Sequence, residues 1–169
     1  CLNTFTPLNS NAYLAARGAV DCAVTAARAV LDGAQIAYAL VGPPGHHAER
    51  RTFGGFCYFN SAAIAAQHLS ADGKIAILDI DFHHGNGTQG IFYDRDDLLS
   101  NSLHGHHHFA RYKDETWHNA GEFYNINYPL SEHITSEKYR TTLTAALKRI
   151  KEFRPSYLVL CLGLDTAKL

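Results

Sequence analysis

Apolar and polar positions along this chain fall into helix-like and strand-like runs separated by turn residues. Residues 12–31 are Ala-rich with few breakers, and Gly33 follows as a C-cap, which predicts a helix. Ile36 to Val41 is a short apolar run that predicts a strand, closed by the stiff turn Gly42-Pro43-Pro44-Gly45. Asn60 or Ser61 can cap a second helix reaching about Leu69. Lys74 to Phe82 reads as a strand of the buried type. A short helical turn is expected over 91–97, strands over Leu98 to Leu103 and Phe123 to Tyr128, and a polar, His-rich loop over 104–121. Thr135 or Ser136 caps a helix with Tyr139, Leu143, Ala146, Leu147 and Ile150 on one stripe, and Pro155 stops it. Ser156 to Gly163 is apolar throughout, the pattern of a parallel strand buried on both faces. The order α, β, α, β, β, β, α, β predicts an open α/β sheet that is largely parallel. No repeat, linker or low-complexity tract interrupts it, so residues 1–169 read as a single domain.

Composition narrows the partners more than the fold. The chain has 169 residues, 46% hydrophobic and 18% charged, enough for one core of ordinary globular type. Lys plus Arg is 15 against Asp plus Glu 16, a net charge of −1, so nucleic acid and anionic membrane are not expected as direct partners. No apolar run is long enough to span a bilayer, and no signal-peptide pattern opens the chain. Cys1, Cys22, Cys57 and Cys161 are scattered without a CxxC, which reads as free thiols in a reducing, cytoplasmic compartment. The chain holds no Met, and it stops just after a strand-like run, so both ends read as cut from a larger protein. Homo-oligomerisation is left open.

The candidate chemistry gathers at strand ends. Ala76-Ile-Leu-Asp79-Ile-Asp81-Phe-His83-His84 runs a strand straight into two carboxylates and two imidazoles, then breaks at Gly85 and Gly87. Side chains alternate along a strand, so Asp79, Asp81 and His83 share a face if the strand persists that far. Crowded carboxylates and an imidazole repel and lose solvation, and a bound cation is the simplest remedy. Oxygen and nitrogen donors without thiolate suit Zn²⁺ or another borderline divalent metal. Ligand sites of open α/β sheets lie beyond the carboxyl ends of the strands. His46 and His47 follow the 36–41 run, Ser102 and His104 end the 98–103 run, and Asp165 follows the 156–163 run. Asp81, His83 and Asp165 would supply three metal ligands and leave a position open for water and substrate. The tandem histidines would take a proton from that water, with Asp79 orienting His46 and Asn86 orienting His47 through ring N–H bonds.

Five segments then carry a resemblance. Val41-Gly-Pro-Pro-Gly-His46-His47-Ala48, Gly54-Gly55-Phe56-Cys57-Tyr58-Phe59-Asn60, Asp79-Ile-Asp81-Phe-His83-His84-Gly-Asn86-Gly87, Ser102-Leu103-His104 and Gly163-Leu-Asp165-Thr166 resemble, in order, the motifs of the zinc-dependent histone deacetylase family. The similarity is strongest to its bacterial acetylpolyamine amidohydrolase and class II-like branch. It implies an arginase/deacetylase-like α/β fold with helices on both faces of the sheet, here incomplete. It implies Asp81, His83 and Asp165 as zinc ligands, His47 as general base and His46 as its electrostatic partner. Asp79 matches the carboxylate behind His46, and Asn86 the residue behind His47, where Asn in place of Asp resembles the class II-like branch. Phe56 matches a wall of a narrow acyl-lysine-type channel, and the Gly55 carbonyl lies near the substrate amide. A structural potassium ion is implied at Asp79, Asp81, His83, Ser102 and Leu103, several through backbone carbonyls, and a second at the Phe92 and Tyr124 carbonyls.

Three departures stand out. Gly42 replaces the usual Arg before Pro-Pro-Gly-His-His. The 104–121 segment looks shortened, leaving Phe109 or Tyr112 as the second aromatic wall. The family's C-terminal third has no counterpart, and with it the Gly-rich loop and the Tyr that stabilises the oxyanion, a donor typically worth ~10²–10³ in rate.

Each residue also has a plainer reading. Strand-end carboxylates can cap helices, a His pair can sit in a surface turn, and Phe56 fits core packing as well as a channel wall. His84 reads as structural. His104 and His106 to His108 read as a solvated loop, and Asp114 and Glu115 as a solvated acidic pair more readily than a lure for a cationic polyamine. The motif series favours the metal reading. The expected function is zinc-dependent hydrolysis of acetyl-amide bonds, with acetyl-lysine or acetylpolyamine as substrate. The alternatives are a catalytically incomplete fragment or pseudoenzyme that binds metal, ligand or a partner chain, and an arginase-like binuclear metallohydrolase.

Overall fold

The computed structural model describes residues 6–105 and 124–166. Two compact units divide the chain: Cys1–Asp72 with Asn86–Ile91, and Gly73–Gly85 with Phe92–Leu169. The residues expected to form the His-rich loop, with Phe109, Tyr112, His106 to His108, Asp114 and Glu115, lie outside the described residues, apart from His104 and Gly105 at its start.

The first unit is helical. Helix α1 (Ala12–Leu31) buries Ala12, Ala16, Ala19, Ala23 and Ala27, a stripe at three- and four-residue spacing. Such small side chains allow close packing, and α1 packs against α2 (Ser61–Leu69). The α1 chain stops where Gly33 takes φ +103°, a left-handed conformation that glycine adopts without a Cβ penalty. Asn60 caps α2, its side chain accepting from the Ala63 N–H at 2.9 Å. A third helix, α3 (Asn86–Phe92), begins directly after Gly85.

The segment 36–41 is not a strand. Ile36, Tyr38 and Leu40 are 87%, 69% and 82% exposed. A strand needs a neighbour to take up its N–H and C=O groups, and an apolar run alone does not supply one.

The second unit is the parallel sheet the pattern predicted. Its strands are β1 (Ile75–Asp79), β2 (Leu98–Gly105), β3 (Asn125–Leu130) and β4 (Tyr157–Cys161), in the order β3-β2-β1-β4. All three pairings are parallel. β1 is buried along its whole length, which explains its continuous apolar run. Helix α4 (Ser136–Phe153), capped by Thr135 accepting from the Lys138 N–H, is the crossover between β3 and β4. It packs Ala146, Ile150 and Phe153 against Ala76, Leu78, Leu99, Leu103 and Leu130. The register sets Asp79 level with Ser102 on one side and Cys161 on the other. Three strands thus deliver their carboxyl ends to one rim, where open α/β sheets carry their chemistry.

Two elements differ from expectation. The helical turn foreseen over 91–97 forms earlier, as α3, because Gly85 serves as its N-cap and does not break it. β4, expected to be buried on both faces, is an edge strand among the described residues, with Leu158 and Leu160 half exposed. No helix among the described residues is long and apolar enough to cross a membrane.

Candidate functional site

The metal-type residues of the second unit meet in a bend. β1 ends at Asp79, so Asp81 and His83 do not extend it as alternating strand positions. Carboxylates instead organise the turn. Asp79 Oδ1 accepts from the Asp81 N–H at 3.1 Å, and Asp81 Oδ1 accepts from the His83 N–H at 2.8 Å. Asp165, just past β4, accepts from the Phe82 N–H through Oδ1 at 2.9 Å. Its other oxygen lies 2.9 Å from His83 Nδ1, which is also 3.2 Å from Asp81 Oδ1. Asp81, His83 and Asp165 therefore each bring one donor atom within 4.8 Å of the others.

The donor set fits a divalent cation. Two carboxylates and one imidazole give hard and borderline donors with a net charge that a dication neutralises, and three ligands leave a position open. All three side chains remain part exposed, so water and substrate can approach. Gly163 makes the arrangement feasible. A Cβ there would lie 2.1 Å from Asp81 Oδ2 and 2.7 Å from Asp81 Cα. Any side chain at 163 would displace a donor.

The other expected residues of this unit sit close in the chain or in register. Asp79 is 2% exposed. Ser102, paired in register with Asp79, and Leu103 are buried in β2. Ser102 Oγ is 2.9 Å from His104 Nδ1, and the His104 ring packs on His84 with centroids 4.5 Å apart. His104 is thus a buried ring at the end of β2, not a solvated loop residue. Phe92 is buried at the end of α3, and the Tyr124 carbonyl accepts from the Ser100 N–H at 2.7 Å.

The first unit holds the histidine pair. His46 and His47 are each 8% exposed, with ring centroids 4.1 Å apart. Burial removes the surface-turn reading. His47 Nδ1 lies 2.7 Å from Asn86 Oδ1, the contact expected from the sequence. The loop is strapped to α3: the Thr88 N–H donates to the His46 carbonyl at 3.2 Å, and Asn60 Nδ2 donates to both the Ala48 carbonyl and Thr88 Oγ1.

Gly55 and Phe56 occupy a tight turn closed by Gly54 and Cys57, which exchange two backbone hydrogen bonds. Both central residues have positive φ, +55° and +66°. That is ordinary for Gly55 and strained for Phe56. Phe56 is 59% exposed, so it is not packed in a core. Its N–H donates to Thr6 Oγ1 at 2.9 Å, and the Cys57 thiol donates to the Gly55 carbonyl at 3.3 Å. A Cβ on Gly55 would stand 2.3 Å from His47 Cδ2, so the turn presses on the base itself.

Sequence reasoning assigned no role to Gly163, Asn60, Thr88 or Glu49. Gly163 carried a signal, a glycine two residues before a strand-end Asp. The others act through contacts between segments far apart in the chain, for which a single sequence holds no sign.

Fold and donors define an α/β protein with a strand-end centre suited to a divalent cation. The chain belongs to the histone deacetylase domain family, whose model matches residues 2–169. It is 43% identical to an acetylpolyamine amidohydrolase of Burkholderia pseudomallei (strain 1710b), over 94% of this chain and 48% of that one. It is 42% identical to an acetylpolyamine amidohydrolase of Mycoplana ramosa, over 98% of this chain and 51% of that one. A crystal structure of acetylpolyamine aminohydrolase from Burkholderia pseudomallei superposes with a TM-score of 0.90 at 42% identity, covering 96% of this chain and 49% of that one. The HDA15 HD domain gives a TM-score of 0.87 at 35% identity, covering 98% and 50%. The chain spans about half the length of the curated relatives it matches.

Proposed function

We propose that this chain carries the metal-binding and base-bearing part of a zinc-dependent hydrolase that removes acetyl groups from amines. The observation that carries the reading is the convergence of Asp81, His83 and Asp165 within 4.8 Å. Names of the relatives point to acetylated polyamines, and acetyl-lysine is the other substrate of the same chemistry.

Asp81, His83 and Asp165 would hold the metal. Bound there, zinc supplies Lewis-acid polarisation of the acetyl carbonyl and acidifies water. His47 takes the proton of the attacking water and returns it to the leaving amine, as a general base that then acts as acid. Asn86 orients His47 through its Nδ1 contact. His46 is the electrostatic partner of His47, and Asp79 the carboxylate assigned to His46. Phe56, exposed on its strained turn, is suited to line the acyl chain, with the Gly55 carbonyl accepting from the substrate amide. Asp79, Asp81, His83, Ser102 and Leu103 would hold a structural potassium ion, and the Phe92 and Tyr124 carbonyls a second. The reading places the protein in the cytoplasm, acting on small or protein-borne acetylated amines without nucleic acid or membrane as partner.

The test is deacetylation of an acetyl-lysine peptide against acetylputrescine by the full-length protein, with metal counted per chain. One zinc per chain and hydrolysis of either substrate support the proposal. Two metals per chain would favour a binuclear centre. Activity that survives Asp81→Ala or His83→Ala would sink it.

A further inference from the structure

We infer that Glu49 is a positioning residue that sets the proton on His47, acting through the side-chain amide of Asn86. Asn86 reaches two groups at once: Oδ1 lies 2.7 Å from His47 Nδ1, and Nδ2 donates to Glu49 Oε1 at 3.1 Å. All three side chains belong to the same compact unit. The inference deepens the hydrolase reading and rests on it only for its kinetic arm.

The reasoning turns on what an amide can do. A carboxylate at position 86 could only accept, so it would hold the neutral imidazole in the Nδ1–H form by itself. An asparagine has one accepting end and one donating end, nearly equal in shape. Turned the other way, it would aim N–H₂ at His47 Nδ1 and stabilise the opposite tautomer, with the proton on Nε2. That imidazole would present no lone pair at Nε2 for taking a proton. Asn86 therefore needs a second group to choose its orientation.

Glu49 makes the choice. Its carboxylate accepts and cannot donate, so it draws Nδ2 and leaves Oδ1 for His47. The flipped amide would face Glu49 oxygen to oxygen at about hydrogen-bond distance, which is repulsive. Oδ1 then accepts from His47 Nδ1–H, and Nε2 becomes the basic nitrogen of the ring.

The frame around this chain of contacts is rigid. Asn86 opens α3, and α3 is tied to the histidine loop through Thr88 and Asn60. Glu49 leaves that same loop one residue after Ala48, and its N–H donates to the Thr52 carbonyl at 2.9 Å. The two partners of Asn86 are thus held on one loop, on opposite ends of its amide.

The experiment reads the His47 tautomer by long-range ¹H–¹⁵N correlation in labelled full-length protein, at a pH where the ring is neutral. The resonance is assigned by its loss in His47→Phe. Wild type should show Nδ1–H. Glu49→Ala should lower the ratio of Nδ1–H to Nε2–H roughly tenfold, the worth of one directed hydrogen bond. The double variant Glu49→Ala/Asn86→Asp should restore the wild-type tautomer, because aspartate needs no orienting partner. In deacetylation, kcat should fall in Glu49→Ala at unchanged KM and recover in the double variant, a rescue that a merely structural role would not produce. Glu49 is only half buried, and the melting temperature checks that each variant folds; Glu49→Gln, which keeps the volume and can present either amide end, should give an intermediate ratio. A wild-type ratio in Glu49→Ala, or no restoration in the double variant, overturns the inference. An inactive wild-type protein that shows this tautomer pattern would sink the hydrolase reading and leave the role of Glu49 standing.

Discussion

The metal donors and the histidine pair are held by opposite means. Asp81 and Asp165 are fixed by main-chain N–H groups, those of His83 and Phe82, and the donor side chains stay part exposed. His46 and His47 are buried, and His47 is addressed by a chain of side chains, Asn86 and then Glu49. The difference follows from what each group has to do. A ligand needs its position and a spare lone pair, and a carboxylate has enough lone pairs to accept from the backbone and still bind an ion. A base needs a defined proton as well as a position. A main-chain N–H or C=O can point at only one ring nitrogen with one polarity, whereas an amide and a carboxylate in series can relay a polarity across the loop.

This contrast predicts that damage to one region should be separable from damage to the other. The largest effect belongs to the donors themselves. Asp81→Ala or His83→Ala should abolish both metal content, measured by elemental analysis, and hydrolysis, exceeding the ~10–100-fold losses typical of residues that only support a ligand. Gly163→Ala should fall in that supporting range, ~10–100-fold weaker metal affinity with the fold retained, since its Cβ would overlap Asp81. Gly55→Ala should do the converse. Its Cβ would push His47 at a position already at positive φ, lowering kcat by up to ~10²-fold while metal content stays at the wild-type level. The same change should cost roughly 1–2 kcal/mol in urea unfolding. If Gly55→Ala also stripped the metal, the two regions would not be separable.

Smaller effects concern the supports. Asn60→Ala removes the α2 cap and the strap to Ala48 and Thr88, for about 2 kcal/mol of stability. Thr135→Ala removes an exposed cap on α4, for about 1 kcal/mol, with no change in turnover. The smallest effect is a pH dependence remote from either region. The Arg95 guanidinium donates to Asp97 and holds its carboxyl below the ordinary range, against the opposing pull of burial. A carboxyl lowered on folding stabilises above its unfolded-state pKa, and that contribution fades as pH drops through the lowered value. The pair is well solvated, so Arg95→Ala should flatten the acid limb of the stability curve only slightly.

Much of the framework is legible in the amino-acid order because it is local. α1 runs over the Ala-rich stretch and ends at Gly33, and α2 starts at the Asn60 cap. α4 follows its Thr135 cap, and β1 and β4 sit inside the apolar runs that announced them. Capping, helical periodicity and continuous apolarity are properties of neighbours in the chain. The segment 36–41 shows the limit: an apolar run with the composition of a strand stays unpaired because pairing depends on a second segment. α3 shows another, since the glycines that resemble a break serve as its entry.

At the site, the identity of the donors and of the histidine pair follows from residue types and spacing, and Asn86 behind His47 is where that reasoning put it. Geometry had to come from the fold. Strand alternation would have set Asp79, Asp81 and His83 on one face, but the strand ends at Asp79 and a carboxylate-organised bend does the gathering. By itself the sequence determined the elements, the parallel class of the sheet and the chemical kinds of groups at its rim, because helix caps, periodicity and donor types act within a few residues. Only the tertiary structure decided that Gly163 must leave room for Asp81, that Phe56 stands exposed on a strained turn, and that Glu49 reaches Asn86. Those depend on distances between segments dozens of residues apart, which are set by packing and by no local preference.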